Sequence, residues 1–197
     1  MTKFEMLDKI IERNAGYLLT STVQDSGISR TYLSRYVKER ELERIETGIY
    51  ILPEIWPDPL YVLQLKNKET VFSNETALYL YGLMEHEPKR ICLSVKRGYN
   101  ATHLIKRGIK PYFVKKELFN QGVTLVKTSY GNEVRVYDID KTICDMIHRK
   151  DEMDIQVFQT ALKEYINGNR KNIHRLMVYA QQMGLERKIR NYLEVLL

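Results

Sequence analysis

Apolar residues recur at helical spacing in the first 41 positions of the chain. One amphipathic helix is predicted over 3–13, and Asn14-Ala15-Gly16 supplies a stop signal after it. A short helical segment beginning at Val23 and a turn at Gly27 precede a second amphipathic helix over 29–41, which Ser29 can cap. The apolar positions of the two amphipathic helices are Phe4, Leu7, Ile10, Ile11, Leu33, Tyr36 and Val37.

The opposite face of the 29–41 helix is polar and basic. It carries Arg30, Thr31, Ser34, Arg35 and Lys38. Arginine can give guanine two parallel hydrogen bonds, and hydroxyl groups can reach bases or phosphates. These residue types predict a helix that reads the major groove of DNA, although a solvated amphipathic helix would show the same periodicity.

The segment 42–52 predicts a β-hairpin. β-branched and aromatic residues lie on both sides of Thr47-Gly48, where glycine can supply the positive φ that a tight turn needs. Three helices followed by a hairpin are typical of a winged helix-turn-helix domain. Arg44, Thr47 and Gly48 would then lie near the tip of the wing and contact sugar and phosphate.

Three prolines between Pro53 and Pro59 interrupt the pattern. They place a short boundary at 54–59, between a winged-helix domain over 1–53 and a second domain over 60–197, with Trp56 available to fix the two domains together. The second domain is predicted to be mixed α+β. Its predicted helices are 60–65, 73–83 (opened by a capping box), 140–148, 154–166, 173–183 and 187–196, and its strands are 91–95, 109–114, 123–128 and 133–137.

Charge is distributed unevenly along the chain. Lys and Arg number 31 against 25 Asp and Glu, yet 1–53 contains eight of each sign, so the basic excess lies downstream. The segment 88–116 contains nine basic residues and no acidic one: Lys89, Arg90, Lys96, Arg97, Lys106, Arg107, Lys110, Lys115 and Lys116. This asymmetry predicts a second DNA-contacting surface. A solvated basic surface and a contact with an acidic protein are the alternatives.

Other chemistry is sparse. Cys92 and Cys144 stand alone in apolar surroundings, so buried free thiols are expected in place of a zinc site, and no cofactor is predicted. The chain has no apolar run of membrane-spanning length and no apolar leader. A cytoplasmic location and no membrane partner are therefore expected.

Glu133, Asp138, Asp140 and Lys141 form the set most suggestive of catalysis, because metal-dependent nucleases combine carboxylates with a lysine near the phosphate. However, Asp138-Ile-Asp140 leads directly into a helix. Asp140 is therefore expected to be the N-cap, and Asp138 to interact favourably with the helix dipole. No catalytic residues, no metal site and no enzyme activity are predicted.

Three segments carry a resemblance that extends, in order, over nearly the whole chain: Thr47-Gly-Ile-Tyr50, Phe72-Ser-Asn-Glu-Thr-Ala-Leu-Tyr-Leu-Tyr-Gly-Leu83 and Val136-Tyr-Asp-Ile-Asp-Lys-Thr-Ile-Cys-Asp-Met-Ile147. The chain resembles the AbiE-type antitoxins of bacterial abortive-infection systems against phage. The resemblance implies a winged helix that binds inverted repeats in its own double-stranded promoter and represses the operon, and a C-terminal domain that provides antitoxin activity. It also implies a nucleotidyltransferase toxin as a functional partner without a stable complex. The alternatives are a stand-alone winged-helix regulator and a metal-dependent nuclease.

Overall fold

The structure is a computed structural model that describes residues 2–196, so the first and last residues of the predicted domains lie outside it. The described chain is mixed α+β and divides into two compact units. The first unit runs up to Lys66 and also contains Thr128–Asn132. The second comprises Asn67–Lys127 and the chain from Glu133 onward. The division therefore differs from the sequence-based one, because the 59–66 helix belongs to the first unit.

The first unit contains four helices and a small antiparallel sheet among its described residues. In chain order the elements are α1 (Lys3–Arg13), β1 (Tyr17–Leu19), α2 (Thr20–Asp25), α3 (Arg30–Glu39), β2 (Glu43–Glu46), β3 (Ile49–Ile51) and α4 (Pro59–Lys66). The sheet has the order β1-β3-β2. The predicted hairpin is present as β2 and β3, whereas β1 was not predicted because three apolar residues alone carry no periodicity.

Local sequence explains where the two long helices of this unit begin. Thr2 Oγ1 accepts from the backbone N of Glu5 at 3.2 Å, and Glu5 Oε2 accepts from the backbone N of Thr2 at 3.0 Å, which is a capping box for α1. Ser29 Oγ accepts from the backbone N of Tyr32 at 3.4 Å, as predicted for α3. Leu33 and Tyr36 of α3 are buried with Leu7 of α1, so the predicted apolar face of α3 is confirmed.

A polar contact fixes α3 against α1. Tyr36 Oη donates to Asp8 Oδ1 at 2.7 Å, and Arg40 Nη2 donates to Asp8 Oδ2 at 2.9 Å. The Phe4 ring packs edge-on against Tyr36, with centroids 5.2 Å apart. The Asp8 carboxylate of α1 thus accepts from both Tyr36 and Arg40, and these hydrogen bonds orient α3 against α1.

The second unit is built on a five-stranded mixed sheet of order β6-β5-β4-β8-β7. Pairs β4–β8 and β5–β6 are parallel, while β4–β5 and β7–β8 are antiparallel. The elements are β4 (Val71–Phe72), α5 (Asn74–Leu80), β5 (Cys92–Lys96), α6 (Thr102–Lys106), β6 (Lys110–Val114), α7 (Lys116–Phe119), β7 (Val123–Lys127), β8 (Glu133–Tyr137), α8 (Ile139–His148), a 3₁₀ turn (Lys150–Glu152), α9 (Ile155–Asn167), α10 (Ile173–Met183) and α11 (Glu186–Leu196).

Helix α8 is the centre of this unit. Ile143, Cys144, Met146 and Ile147 are buried in a cluster that also takes residues from α5, α9, α10 and α11. The α5 helix is shorter than predicted, and the side chain of its N-cap residue Ser73 makes no capping bond. The capping-box expectation for this helix is therefore wrong.

The proline-rich segment is held by the buried carboxylate of Asp58. Its Oδ1 accepts from the backbone N of Leu60 and of Tyr61, at 3.1 Å each, and so opens α4. The backbone N of Asp58 donates to Tyr17 Oη at 2.9 Å. Trp56, for which the sequence suggested a role in fixing the two domains, is 82% exposed, so that expectation is wrong.

Candidate nucleic-acid interface

The polar face of α3 is exposed as predicted. Its side chains Arg30, Thr31, Ser34, Arg35 and Lys38 all lie on the surface. Within the described chain no carboxylate forms an ion pair with the three basic ones, since Asp8 is occupied by Arg40. This face therefore presents unneutralised positive charge, which is what a contact with a polyanion requires. Whether these residues touch DNA stays a prediction.

The three predicted wing residues all lie on the hairpin, with Thr47 and Gly48 in its turn and Arg44 within β2, opposite Tyr50. Arg44 and Thr47 are exposed, and Gly48 has φ +76°, which confirms the predicted turn. The tip is held from two sides, because the backbone N of Thr20 donates to Gly48 O at 2.9 Å and Lys66 Nζ donates to Thr47 O. Lys66, from the end of α4, is thus a cation beside the tip that the sequence analysis missed. Only proximity in the fold reveals it, since Lys66 is nineteen positions from Thr47.

The nine basic residues of 88–116 do not form one continuous cluster. Because β5 and β6 are parallel and register Cys92 with Lys110 and Lys96 with Val114, the charges separate towards two ends of the strand pair. A five-residue strand is about 16 Å long. Lys96, Arg97, Lys115 and Lys116 lie at the carboxyl ends of the strands, whereas Lys89, Arg90 and Lys110 lie at the amino ends, and Lys106 and Arg107 end the crossover helix α6.

Acidic residues from other segments lie beside this basic run. Lys96 Nζ is 3.3 Å from Glu69 Oε2, and Lys110 Nζ is 3.4 Å from Glu152 Oε2. A cleft of about 520 Å³ is lined by three of the cations, Lys89, Arg90 and Lys110, and by the carboxylates of Glu75, Glu87, Glu152 and Asp154. The run is acid-free along the chain but not in space. The positive electrostatic potential around this segment is therefore weaker than its nine basic residues alone would produce.

The second unit nevertheless has the basic excess of the protein. Its segments 67–127 and 133–197 contain 22 Lys and Arg and 15 Asp and Glu, against nine and ten in the first unit. The first unit thus has a basic face on a nearly neutral body, whereas the second is basic as a whole. The two units differ in how they could attract a polyanion.

The carboxylates at the start of α8 have structural partners. Asp138 Oδ1 accepts from the backbone N of Lys141 at 2.8 Å, so Asp138 is the N-cap and its Oδ2 accepts from Tyr179 Oη at 2.7 Å. The predicted N-cap at Asp140 is wrong, because Asp138 keeps the extended backbone that precedes a helix (φ −59°, ψ 165°). Asp140 lies one residue inside the helix and is completely buried.

Three donors converge on Asp140. Tyr165 Oη donates to Oδ1 at 2.6 Å, the backbone N of Asn172 donates to Oδ1 at 3.0 Å, and Arg175 Nε donates to Oδ2 at 2.6 Å. Burial, with Asp140 next to the hydroxyl, raises the pKa of Tyr165. Asp140 therefore joins α8 to α9 and α10, and its lone pairs are directed into the protein.

The remaining members of the nuclease-like set are separated. Lys141 Nζ donates to Asp145 Oδ1 at 2.6 Å in a buried pair and lies 4.7 Å from the centroid of the Tyr137 ring. Glu133 begins β8, whereas Asp138 follows its end. Among residues 2–196 no group of three or more His, Cys, Asp or Glu side chains has an arrangement that could hold a metal ion.

Both cysteines are buried and free, as predicted. Cys92 Sγ donates to Glu75 Oε2 at 3.0 Å, and Cys144 Sγ donates to the carbonyl of Leu176 at 3.4 Å. Burial raises the pKa of both thiols, to about 12 for Cys144. Neither is therefore a nucleophile at neutral pH.

Comparison with known proteins finds a family match within the first unit. Residues 5–53 match the family model described as "Transcriptional regulator, AbiEi antitoxin". The matched segment extends from α1 to just beyond β3 and contains α3 and the hairpin, and it confirms the resemblance predicted from the sequence for this part of the chain. No curated protein matches the chain.

A solved structure is similar over most of the chain. The crystal structure of the RV2827C protein from Mycobacterium tuberculosis superposes with a TM-score of 0.56, at 9% sequence identity, over 92% of this chain and 72% of that one. At this identity the similarity concerns the fold alone. No helix in the described part of the chain is long and apolar enough to cross a membrane.

Proposed function

We propose that the first unit is a winged-helix DNA-binding domain and that the protein is the antitoxin and autorepressor of an abortive-infection toxin–antitoxin operon. The observation that carries the proposal is the exposed basic face of α3, which lies within the segment that matches the AbiEi regulator model. In this proposal α3 enters the major groove of double-stranded promoter DNA at inverted repeats. Two copies of the protein would occupy the two half-sites.

The structure supports specific roles for the side chains. Arg30 and Arg35 are the candidates for guanine contacts, while Thr31, Ser34 and Lys38 are available to phosphates and neighbouring bases. The hairpin serves as the wing, with Thr47 at its tip and Arg44 exposed on β2, and Lys66 donates to the Thr47 carbonyl. Because the Asp8 bonds lie on the inner side of α3, they orient the helix without consuming its outer face.

Replacing Arg30 and Arg35 individually by alanine tests the assignment. Each variant should bind the promoter more weakly by about 1–3 kcal/mol if its arginine reads a base, and specificity should relax at one position per half-site. Fluorescence anisotropy with a labelled promoter duplex measures this. Lys163→Ala, an exposed lysine of α9, is the matched loss of charge and should leave binding unchanged. Unchanged promoter binding in the double variant would refute the recognition-helix role of α3.

We also propose that the basic segment of the second unit grips phosphate without reading sequence. Each phosphate contact removed should lower the slope of log affinity against log salt by about one unit. Arg97, Lys115 and Lys116 lie at one end of the strand pair, and Lys89 and Arg90 at the other, so two multiple-alanine variants distinguish the ends. The variant at the contacting end should flatten the slope and keep the preferred sequence. Unaltered slopes in both variants would mean that these charges only solvate the surface.

We further propose that the protein acts in the cytoplasm by binding, without catalysis or a cofactor, against a nucleotidyltransferase toxin with which it forms no stable complex. The bonds of Asp138 and Asp140 to side chains of α9 and α10 support a structural role for the set that suggested a nuclease. Co-expression of the neighbouring toxin gene with the full chain, both from unrelated promoters, tests antitoxin activity. The Arg30→Ala/Arg35→Ala variant should protect cells from the toxin as the wild-type protein does. Loss of protection would instead mean that the antitoxin acts by repressing transcription.

A further inference from the structure

Trp56 is the single tryptophan of the chain and is 82% exposed on a rigid segment. The preceding residue anchors this segment: the backbone N of Ile55 donates to Leu52 O at 3.1 Å, and its side chain fills the space where Gly16 would carry a Cβ. An ideal Cβ on Gly16 would lie 2.0 Å from Ile55 Cδ1. The large apolar ring of Trp56 is therefore displayed on a fixed backbone, and such rings are typical of binding hot spots.

Tyr130 is displayed in the same way, at the tip of a tight turn. The backbone N of Gly131 donates to Thr128 O at 2.9 Å, and Gly131 has φ +87°, which favours glycine. The turn leaves Tyr130 54% exposed. It belongs to the same unit as Trp56, although 74 positions separate the two residues along the chain.

Asp58 joins the two displayed segments. Its carboxylate, in a residue that is 1% exposed, accepts from Thr128 Oγ1 at 2.5 Å and from Asn132 Nδ2 at 2.9 Å through the same oxygen, Oδ2. The other oxygen caps α4. Burying a carboxylate costs free energy, and hydrogen bonds offset that cost only when the donors are well placed. Asp58 has four such donors. It fixes the turn that carries Tyr130 beside the segment that carries Trp56.

The two rings share a hollow of about 420 Å³. Its lining consists of Ala15, Glu54, Ile55, Trp56, Tyr130 and Asn132, so one carboxylate and no cation borders it. In the described residues the two rings do not stack on each other, and both are largely exposed to solvent. Aromatic faces attract cations, and a carboxylate strengthens that attraction, whereas the same lining repels phosphate.

We propose that this hollow binds the arginine or lysine side chain of a protein partner, held between the faces of Trp56 and Tyr130 and paired with Glu54. The chemistry of the lining selects the occupant: a cation satisfies both the rings and the carboxylate, whereas a nucleic acid satisfies only the rings. The hollow shares no residue with the α3 face. It gives the protein a second means of association that does not depend on DNA.

The single tryptophan makes the test direct. Fluorescence of the full-length protein is titrated with the capped peptide acetyl-Gly-Arg-Gly-amide and with its citrulline counterpart, a neutral isostere of arginine. Saturable change with the arginine peptide, at least about threefold tighter than with citrulline, is expected from a cation–π contact. Equal responses to the two peptides, or no saturation with either, would overturn the proposal.

Variants then assign the contacts. Glu54→Gln and Tyr130→Ala should each weaken the arginine peptide by about threefold or more, while Phe113→Ala, another exposed aromatic residue but in the second unit, should change nothing. Replacing Trp56 by fluorinated tryptophan, which weakens the ring quadrupole without altering its shape, should lower affinity stepwise with fluorine number. An affinity independent of fluorination would show that the ring acts only by apolar contact, and the cation site would be wrong.

Discussion

Replacing Asp140 by alanine is the sharpest test of how the second unit is held together. The change removes the acceptor of Tyr165 Oη, of the backbone N of Asn172 and of Arg175 Nε. Tyr165 is 1% exposed, so leaving its hydroxyl without an acceptor should lower the free energy of unfolding by about 1–3 kcal/mol. Leaving the backbone N of Asn172 without an acceptor should lower it by about 1 kcal/mol. The Arg175 side chain is 44% exposed and regains water, so its loss adds little.

The expected destabilisation by Asp140→Ala is thus about 2–4 kcal/mol, because two buried donors lose their acceptor. Native-state amide hydrogen exchange of the full chain measures it locally. Protection should fall by this amount in α8, α9 and α10 and should stay unchanged in α3. Asp151→Ala, which removes an exposed carboxylate of the same unit, is the matched control and should shift exchange by less than about 0.5 kcal/mol.

The geometry also predicts coupling between Asp140 and Tyr165. Tyr165→Phe alone should cost about 1–2 kcal/mol because it removes one hydrogen bond, and it should cost much less in the Asp140→Ala background. A loss below about 1 kcal/mol in Asp140→Ala, or strict additivity with Tyr165→Phe, would refute the structural role. It would return Asp140 to consideration as a functional carboxylate.

Two further predictions concern glycines and thiols. Gly16→Ala should destabilise the first unit more than Gly27→Ala in urea unfolding, because both have positive φ but only at Gly16 does the new Cβ meet a side chain, that of Ile55; equal losses would contradict this. Burial raises the pKa of both thiols, to about 12 for Cys144, so both should react with Ellman's reagent far more slowly in the native protein than in urea. Reaction with the native protein should accelerate as pH rises, and fast labelling at pH 8 would contradict the burial.

Much of the fold could be predicted from periodicity. Helix 173–183 and strand 133–137 were predicted with their observed bounds, because each has both a clear pattern and a flanking signal. The short strands β1 and β4 were missed, since three or two apolar residues contain no measurable period. Their existence depends on partners distant in sequence, such as β3 for β1.

The candidate site likewise has a part that local sequence predicts and a part that depends on residues distant in sequence. The exposed face of α3 follows from helical geometry, so its five polar residues could be named from sequence. The sequence shows how many basic residues 88–116 contains but not where they lie in space. The parallel pairing of β5 and β6 separates them, and Glu69 and Glu152 lie beside Lys96 and Lys110. Similarly, the sequence placed Asp140 near a helix start, but the donors that bury it come from α9 and α10.

The five residues Thr128–Asn132 have a consequence for how such a protein can be recombined. They are encoded in the middle of the second unit but complete the first, where Asp58 binds Thr128 and Asn132. No single cut in the gene therefore yields both units intact, and a fusion made at the proline-rich segment separates Asp58 from its partners. A first unit exchanged between relatives would have to carry the matching turn with it, so the N-terminal and C-terminal parts of the chain are constrained to change together.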